Sequence, residues 1–317
     1  MAKAGGGSGW FGTAWRARRQ ACWACWVGLT LCAPGSAWAQ SAGPDALRAG
    51  LAAAQAKALS QPPGNIFDRP LFLESTEAKD QLQGDVYALV NFPYDLVRQA
   101  VLRAEPWCGI LILHLNVQYC RAGAAPTPDL LDVGIGRKFD QPLSDVYWLR
   151  FNLVVERGGA DYLKVLLHAP TGPLGTKDMR LMVEAMPLSG QQTVLHMRYG
   201  YGYGVAARWA AQAYLATLGR DKIGFSTAGP GAYGKPQPVG GLRGVLERNT
   251  LRYYLAIEAH LGAQALPPPK QLQKSLQDWF AATERYPAQL HELSRDAYLD
   301  MKQDQLRRQQ TEAPPGR

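Results

Sequence analysis

Residues Gln191 to Phe225 decide the fold, and they read QQTVLHMRYGYGYGVAARWAAQAYLATLGRDKIGF. The apolar residues of the first part share one parity: Leu195, Met197, Tyr199, Tyr201 and Tyr203. His196 and Arg198 have the other parity, and a period of two places the two sets on opposite faces of a strand. From Val205 the sequence is rich in Ala and Leu, with polar residues at helical spacing. The stretch therefore predicts a long strand that runs directly into a long helix.

Four earlier segments alternate in the same way: DLLDVGIGRKF, YWLRFNLVVE, DYLKVLLHA and DMRLMVEAM. Glycines and prolines between them signal turns, at Gly158-Gly159, Gly172-Pro173 and Ser189-Gly190. Strands that follow one another without a crossover helix pair antiparallel. Upstream, Leu71–Glu74 and Gly84–Val90 predict a hairpin, and Pro93 starts a helix. We therefore predict an α+β fold, in which a curved antiparallel sheet grips a long helix and further helices follow.

The first 39 residues have the pattern of a signal peptide. Arg16, Arg18 and Arg19 precede a short apolar run, and Ala37-Trp38-Ala39 is a small-x-small cleavage site before Gln40. The apolar run is shorter than the roughly 20 residues that span a bilayer, which disfavours an uncleaved anchor. Leu31 before Cys32 likewise disfavours a lipoprotein. We expect cleavage after Ala39 and a periplasmic or secreted bacterial protein.

Removal of residues 1–39 lowers the formal charge, because Lys3 and three arginines leave with no acidic residue, and 8 − 4 = +4. A mild charge of this size does not predict a nucleic-acid-binding protein. The remaining chain divides by composition into five parts: an N-terminal helix and linker (40–69, with the helix at Asp45–Leu59), the sheet domain (70–227), a Gly/Pro-rich loop (228–241), a C-terminal helical extension (242–310) and a disordered tail (311–317). The extension contains predicted helices at 242–261, 271–286 and 287–308.

The order of elements resembles the START-like helix-grip superfamily (SRPBCC type). The similarity covers Gln81 to Phe225 and depends on the element order, on Pro93 and Trp107, and on the strand-to-helix junction at Gly204. It implies a sheet wrapped around the last helix, with an apolar cavity for lipids, sterols or aromatic molecules. The chain departs from the superfamily because it continues beyond the long helix and begins with an export signal.

The predicted cavity wall is the apolar parity set of the central strands, together with residues of the following helix. These candidate ligand-binding residues are Phe151, Leu153, Val165, Leu167, Met197, Tyr199, Tyr201, Tyr203, Trp209 and Tyr214. Apolar walls with a few polar groups are typical of small-molecule sites, and tyrosines supply both. A solid core is the alternative. On the opposite face, His196 and Glu184 fit either a catalytic wall or, more simply, an outer face, which we expect the helices after Leu242 to cover.

Cys108 and Cys120 are the two cysteines left after cleavage, and an exported chain favours their pairing. A continuous strand between them would separate their Cα atoms by about 40 Å at roughly 3.3 Å per residue, whereas a disulfide needs about 7 Å or less. The apolar run Ile110–Leu113 offers a way to shorten the path. We therefore predict a disulfide, with a short helix from Trp107 to about Leu113, a reversal near His114 and a strand from Leu115.

No motif for catalysis or cofactor binding stands out. The mature chain has no HxxxH, HExxH, CxxC or G-x-S-x-G, and the glycines at 200, 202 and 204 lie within a strand rather than after one. We therefore predict no catalytic residue, metal or cofactor. The sequence favours an exported protein that binds a hydrophobic ligand, with the loop Ala228–Gly241 as a gate. The alternatives are an envelope protein that binds a partner through its C-terminal helices, and an enzyme of the cyclase or dehydratase type.

Overall fold

The main sheet has eight antiparallel strands in the order β1-β2-β8-β7-β6-β5-β4-β3. The computed structural model describes residues 43–60, 65–205, 208–209, 222–230 and 236–312. The strands of the sheet are β1 (Leu71–Ala78), β2 (Gln81–Val90), β3 (Val117–Ala122), β4 (Leu130–Ile135), β5 (Tyr147–Gly158), β6 (Leu163–Thr171), β7 (Thr176–Ser189) and β8 (Gln192–Tyr203). The predicted α+β class and the antiparallel run of strands are confirmed.

The helices lie before, within and after this sheet. They are α1 (Pro44–Ser60), α2 (Tyr94–Val101), α3 (Ala104–Leu111), α4 (Gly241–Ala263), α5 (Pro268–Thr283), the single turn α6 (Pro287–Leu290) and α7 (Arg295–Thr311). Two short antiparallel strands, β9 (Thr227–Pro230) and β10 (Pro236–Pro238), overlap the predicted loop. The order β2, α2, α3, β3 to β8 is the START-like helix-grip order on which the resemblance depends.

Alternation along the strands places one apolar row across the inner face of the sheet. The register pairs Tyr199 of β8 with Leu181 of β7. Leu181 pairs in turn with Leu167 of β6, and Leu167 pairs with Leu153 of β5. All four are buried in one core. The apolar residues that the period of two placed on one face therefore do lie on the inner face of the sheet.

The helix that packs against this inner face is α4, and it contacts β1, β2 and β8. Helix and sheet approach each other closely at Gly84 of β2, where a Cβ atom would overlap with Oγ1 of Thr250. Our expectation that the helices after Leu242 cover the outer face is therefore wrong for α4. The polar residues of α4 misled the prediction, because they have partners inside the protein. Glu247, for example, is fully buried and accepts hydrogen bonds from the backbone N–H groups of Phe225 and Ser226.

The helix predicted from Val205 onward lies mostly outside the described residues. Val205, Arg208 and Trp209 are helical, and the backbone N–H of Arg208 donates to the carbonyl of Gly204. Trp209 is 69% exposed. The sequence predicted that this segment is the helix gripped by the sheet. Among the described residues, α4 is the helix that packs against the inner face of the sheet.

The outer face is covered by α1 instead. Leu47 packs with Tyr162, Met186 and Val194 in a separate apolar cluster. Gly50 lies so close to the ring of Tyr87 that a Cβ atom would be 2.8 Å from it. A helix that precedes the sheet in sequence therefore supplies the cover that the apolar outer face requires.

The C-terminal helices form part of the same core. Trp279 of α5, Leu290 of α6 and Tyr298 of α7 are almost fully buried in it. The predicted helix 287–308 is divided, because the chain turns between α6 and α7, and Ser294 then caps α7 by accepting from the N–H of Ala297. Among the described residues, none of the helices combines the length and hydropathy needed to cross a membrane.

The predicted disulfide is confirmed. Cys108 of α3 and Cys120 of β3 are bonded, and their Cα atoms are 5.2 Å apart. The helix that carries Cys108 spans Ala104–Leu111 rather than Trp107 to about Leu113, the chain reverses around His114, and the strand begins at Val117 rather than Leu115. The predicted signal peptide (1–39) and most of the predicted tail (311–317) lie outside the described residues, and the proposed domain boundaries stay predictions.

Candidate functional site

Four aromatic rings form a row between the sheet and α4. Tyr201 and Tyr199 project from the inner face of β8, with ring centroids 5.8 Å apart. Tyr199 lies 5.0 Å from Tyr253 of α4, and Tyr253 stacks on His114 at 4.5 Å. We call these four residues the aromatic row. Strand, helix and the turn after α3 each contribute to it, so the fold assembles the row from distant parts of the chain.

The hydroxyls of the row have no hydrogen bond to any described residue. Tyr199 and Tyr253 each keep 7% of their surface accessible, although protein surrounds them. Tyr201 is partly buried against the same core. Burial raises the pKa of Tyr199 well above 10, raises that of Tyr201 to about 12, and also raises that of Tyr253. All three phenols are therefore neutral at physiological pH and can donate a hydrogen bond.

His114 adds a further donor. It is 2% exposed, and its Nδ1 atom accepts from the backbone N–H of Asn116 at 3.1 Å. The neutral ring therefore carries its hydrogen on Nε2, and no described residue meets this buried atom at hydrogen-bond geometry; the side chain of Asn249 is close enough only to oppose part of the lowering of the ring's pKa. Burial lowers the pKa of His114 well below 6.5, and the positive charges of Arg252 and Lys302 lower it further. The ring is thus a neutral donor rather than a cation.

The helix α7 holds His114 in place. The Nζ atom of Lys302, which is fully buried, donates to the carbonyl oxygens of His114 and Val117, each at 2.8 Å. The hydroxyl of Tyr298 donates to the carbonyl of Leu113 at 2.8 Å. These bonds satisfy the backbone of the turn, because a buried carbonyl without a partner is costly. The C-terminal extension therefore positions one member of the row.

The structure buries most of the predicted ligand-binding residues in the main core. These buried residues are Phe151, Leu153, Val165, Leu167, Met197, Tyr199 and Tyr203. The hydroxyl of Tyr203 is already bonded to Glu77 at 2.8 Å, so it is not an open donor. Trp209 is largely exposed, and Tyr214 lies outside the described residues. That this set contacts a ligand stays a prediction.

Sequence reasoning missed Tyr253 and His114. The only signal for Tyr253 was its place in the run Tyr253–Ile257, which is free of charged residues and is buried throughout in α4. His114 carried the signal of a reversal, which the disulfide argument placed correctly. The two rings are 139 positions apart in sequence, so no spacing could have joined them.

On the outer face, a second polar cluster is closed rather than open. His196 lies between Asp85 and Glu184, at 2.7 and 2.8 Å, and Glu184 also accepts from the hydroxyl of Tyr162 at 2.6 Å. All three of the charged groups are buried. The cluster is closed because α1 covers this part of the outer face. Within the part of the chain that the structure describes, no group of three or more His, Cys, Asp or Glu residues could hold a metal ion.

No protein-family model matches the chain, and no curated protein matches its sequence. Among solved structures, the chain is similar to norcoclaurine synthase from Thalictrum flavum, at 11% identity over 45% of this chain and 87% of that one, with a TM-score of 0.30. It is also similar to a START superfamily protein from Mycobacterium smegmatis, at 8% over 42% and 91%, with a TM-score of 0.29. The match to human StAR-related lipid transfer protein 5 is 11% over 54% and 90%, with a TM-score of 0.28. At these values the likeness says nothing about the ligand or activity of this chain.

Proposed function

We propose that the protein binds a hydrophobic small molecule between the inner face of the sheet and α4, beside the aromatic row. The observation that carries the proposal is a set of donors without a hydrogen bond to any described residue: the buried Nε2–H of His114 and the hydroxyls of Tyr199, Tyr201 and Tyr253, which line up beside it and belong to residues that are not fully buried. A buried polar group without a partner costs about 1–3 kcal/mol. Nε2 of His114 is such a group, and one buried donor with three further hydroxyls against an apolar wall is the composition of a small-ligand site.

The donors limit the chemistry of the ligand. Neutral phenols and an imidazole N–H all donate, so they are matched by an acceptor oxygen such as a carbonyl or hydroxyl. The neighbouring wall is apolar, with Leu181, Leu167 and Leu153 continuing from Tyr199 across the sheet. The ligand class is therefore a lipid, sterol-like or aromatic molecule that carries at least one acceptor oxygen.

A titration with Nile red, a neutral aromatic dye with a carbonyl oxygen, tests this function. Tyr253→Phe keeps the ring and removes the hydroxyl, and we expect it to weaken dye binding by about three- to tenfold, the usual value of one neutral hydrogen bond. Tyr119→Phe is the matched control, because the buried hydroxyl of Tyr119 also lacks a partner but lies in the cluster with Leu143 and Val146. Equal dye affinity in both variants and the wild type would refute the proposal.

We also propose that the protein is exported. The basic and apolar pattern of residues 1–39 supports export, as does the disulfide between Cys108 and Cys120, because disulfides persist in oxidising compartments. N-terminal sequencing of protein from an envelope fraction should begin at Gln40. An intact Met1 on that protein would contradict cleavage.

The two alternatives have less support. A partner protein would have to bind the exposed sides of the C-terminal helices, since Trp279 and Tyr298 already pack into the core. An enzyme of the cyclase or dehydratase type would use His114 as its base. The lowered pKa of His114 and the bond from Asn116 to Nδ1 leave Nε2 as a donor, which favours binding over proton abstraction.

A further inference from the structure

A pocket lies at one end of the sheet, away from the aromatic row. It has a volume of about 580 Å³ and is bounded by the end of β2, the start of β8, α4 and α5. Pockets of roughly 300–1,000 Å³ accommodate drug-sized molecules. None of its lining residues belongs to the aromatic row, so the pocket is separate from the proposed hydrophobic site.

One side of the pocket is apolar. Phe92 follows β2, Leu255 and Ala259 lie one turn apart on α4, and Ala282 faces them from α5. Gly262 continues the α4 side, and a Cβ atom there would be 3.9 Å from the Phe92 ring, which is ordinary contact. The small residues leave the space, and the Phe92 ring offers a flat surface against which an apolar body can pack.

The acidic groups of the pocket are already engaged. Glu258 receives two hydrogen bonds from Arg69, both at 2.8 Å, and a third from the hydroxyl of Tyr254 at 2.7 Å. Asp278 is paired with Lys274 on the preceding turn of α5. Neither carboxylate is free to pair with a ligand cation, because each already forms an ion pair with a basic side chain.

The open polar groups are donors. Arg285 makes no hydrogen bond or ion pair with any described residue, and its guanidinium has five N–H groups. Asn91 accepts from Gln192 at 2.9 Å through Oδ1, which leaves its amide N–H groups unused among the described residues. Arg285 follows the C-terminal end of α5, beyond Thr283, whereas Asp278 lies within α5 and is neutralised there by Lys274.

We propose that this pocket binds a small organic acid, with the carboxylate on Arg285 and Asn91 and the apolar body against Phe92 and Leu255. Arginine pairs with carboxylates through two parallel hydrogen bonds. The pocket combines open donors on Arg285 and Asn91 with an apolar wall, and this combination matches an amphipathic monoanion better than a cation.

The test compares naphthalene-1-carboxylate with its neutral carboxamide by calorimetric titration. The wild-type protein should prefer the carboxylate, and Arg285→Ala should lower carboxylate affinity by about tenfold or more, the usual effect of a charged hydrogen bond, while the carboxamide affinity changes little. Arg157→Ala is the control, because Arg157 is an exposed arginine on β5. A carboxylate preference that survives in Arg285→Ala would overturn the proposal.

A second pair of variants tests the place of binding. Gly262→Leu fills the pocket from α4 and should abolish binding of both naphthalene compounds, whereas Gly262→Ala leaves most of the volume and should bind them as the wild type does. Circular dichroism checks that each variant is folded. Nile red affinity should be unchanged in Gly262→Leu. Retained naphthalene-1-carboxylate binding in Gly262→Leu, or a parallel loss of Nile red binding, would overturn the assignment of a separate acid site.

Discussion

The Nε2 atom of His196 lies 2.7 Å from Oδ1 of Asp85, in the part of the outer face that the ring of Tyr87 covers. Burial alone would lower the pKa of His196, but the hydrogen bonds and charges of Asp85 and Glu184 outweigh burial and raise this pKa above 6.5. Burial alone would raise the pKa of Asp85, but the hydrogen bonds and charges of His196 and Arg198 outweigh burial and lower it. An imidazolium between two carboxylates is therefore built into the folded state.

The first prediction concerns pH. Because the folded pKa of His196 is raised, its stabilising contribution is complete below about pH 6.5 and is lost as the pH rises through the raised value. His196→Gln should lower the free energy of unfolding by about 3–5 kcal/mol at pH 6, the usual cost of breaking a buried ion pair, and by less at alkaline pH. Thermal melts from pH 5 to 9 measure the difference. A constant difference over this range would contradict a charged His196.

The lowered pKa of Asp85 predicts how the stability changes at acidic pH. Its lowered pKa means that its contribution is present above its ordinary value of 3.8 and is lost as the pH falls through the folded value. Asp85→Asn should therefore differ most from the wild type near neutral pH and approach it in acid. Equal destabilisation at pH 3 and pH 7 would show that the carboxylate charge contributes nothing.

The close approach of α4 to the sheet gives the second prediction. Gly84→Ala places a methyl group against Oγ1 of Thr250 and should cost about 1–3 kcal/mol, as overpacking usually does. In a Thr250→Ala background the cost should fall, because the overlapping atom is gone. Gly190→Ala is the control, since a Cβ there meets nothing within 4 Å. Denaturant unfolding of the four combinations measures the coupling, and purely additive losses would place α4 elsewhere.

The third prediction concerns the disulfide. Replacing Cys108 and Cys120 by Ser should lower the free energy of unfolding by about 3 kcal/mol, on the chain-entropy estimate for a loop of this length. Wild-type protein treated with a reductant should unfold like the double variant. Two free thiols in unfolded, unreduced protein would remove the bridge from the account.

Lys302 gives the fourth prediction. Lys302→Met keeps most of the side-chain volume but leaves the carbonyls of His114 and Val117 without their donor. We expect a loss of about 1–3 kcal/mol for buried groups left unpaired, with faster hydrogen exchange of the amides between His114 and Val117. Arg307→Met, on the exposed side of α7, is the control. Unchanged exchange in Lys302→Met would mean that α7 does not hold the His114 turn.

The strands of this fold are readable from sequence, because alternation reports directly which face each side chain takes. Met197 and Val165 were placed on the inner face in this way, and both are fully buried there. The disulfide was predictable because two constraints, export and the length of a strand, left few arrangements for Cys108 and Cys120.

The gripping of α4 was not predictable from its own residues. Arg248 and Arg252 have the polarity of a surface helix, yet both are 1% exposed. Their hydrogen-bond partners come from other segments, since Arg248 donates to the carbonyl of Ile223 and Arg252 donates to that of Leu290. A polar residue that is satisfied by distant backbone cannot be told from an exposed one by local pattern. The aromatic row could not be predicted from the sequence for a similar reason, because its members come together only in the folded chain.

The central claim is that a hydrophobic ligand binds beside the aromatic row, and photo-crosslinking tests it most directly. A neutral fatty alcohol that carries a diazirine should label peptides from 192–203 of β8 and 241–263 of α4, at or beside Tyr199, Tyr201 and Tyr253, and an excess of Nile red should suppress the labelling. Labelling confined to the surface, or to peptides around Phe92 and Arg285 at the end pocket, would contradict the proposed site.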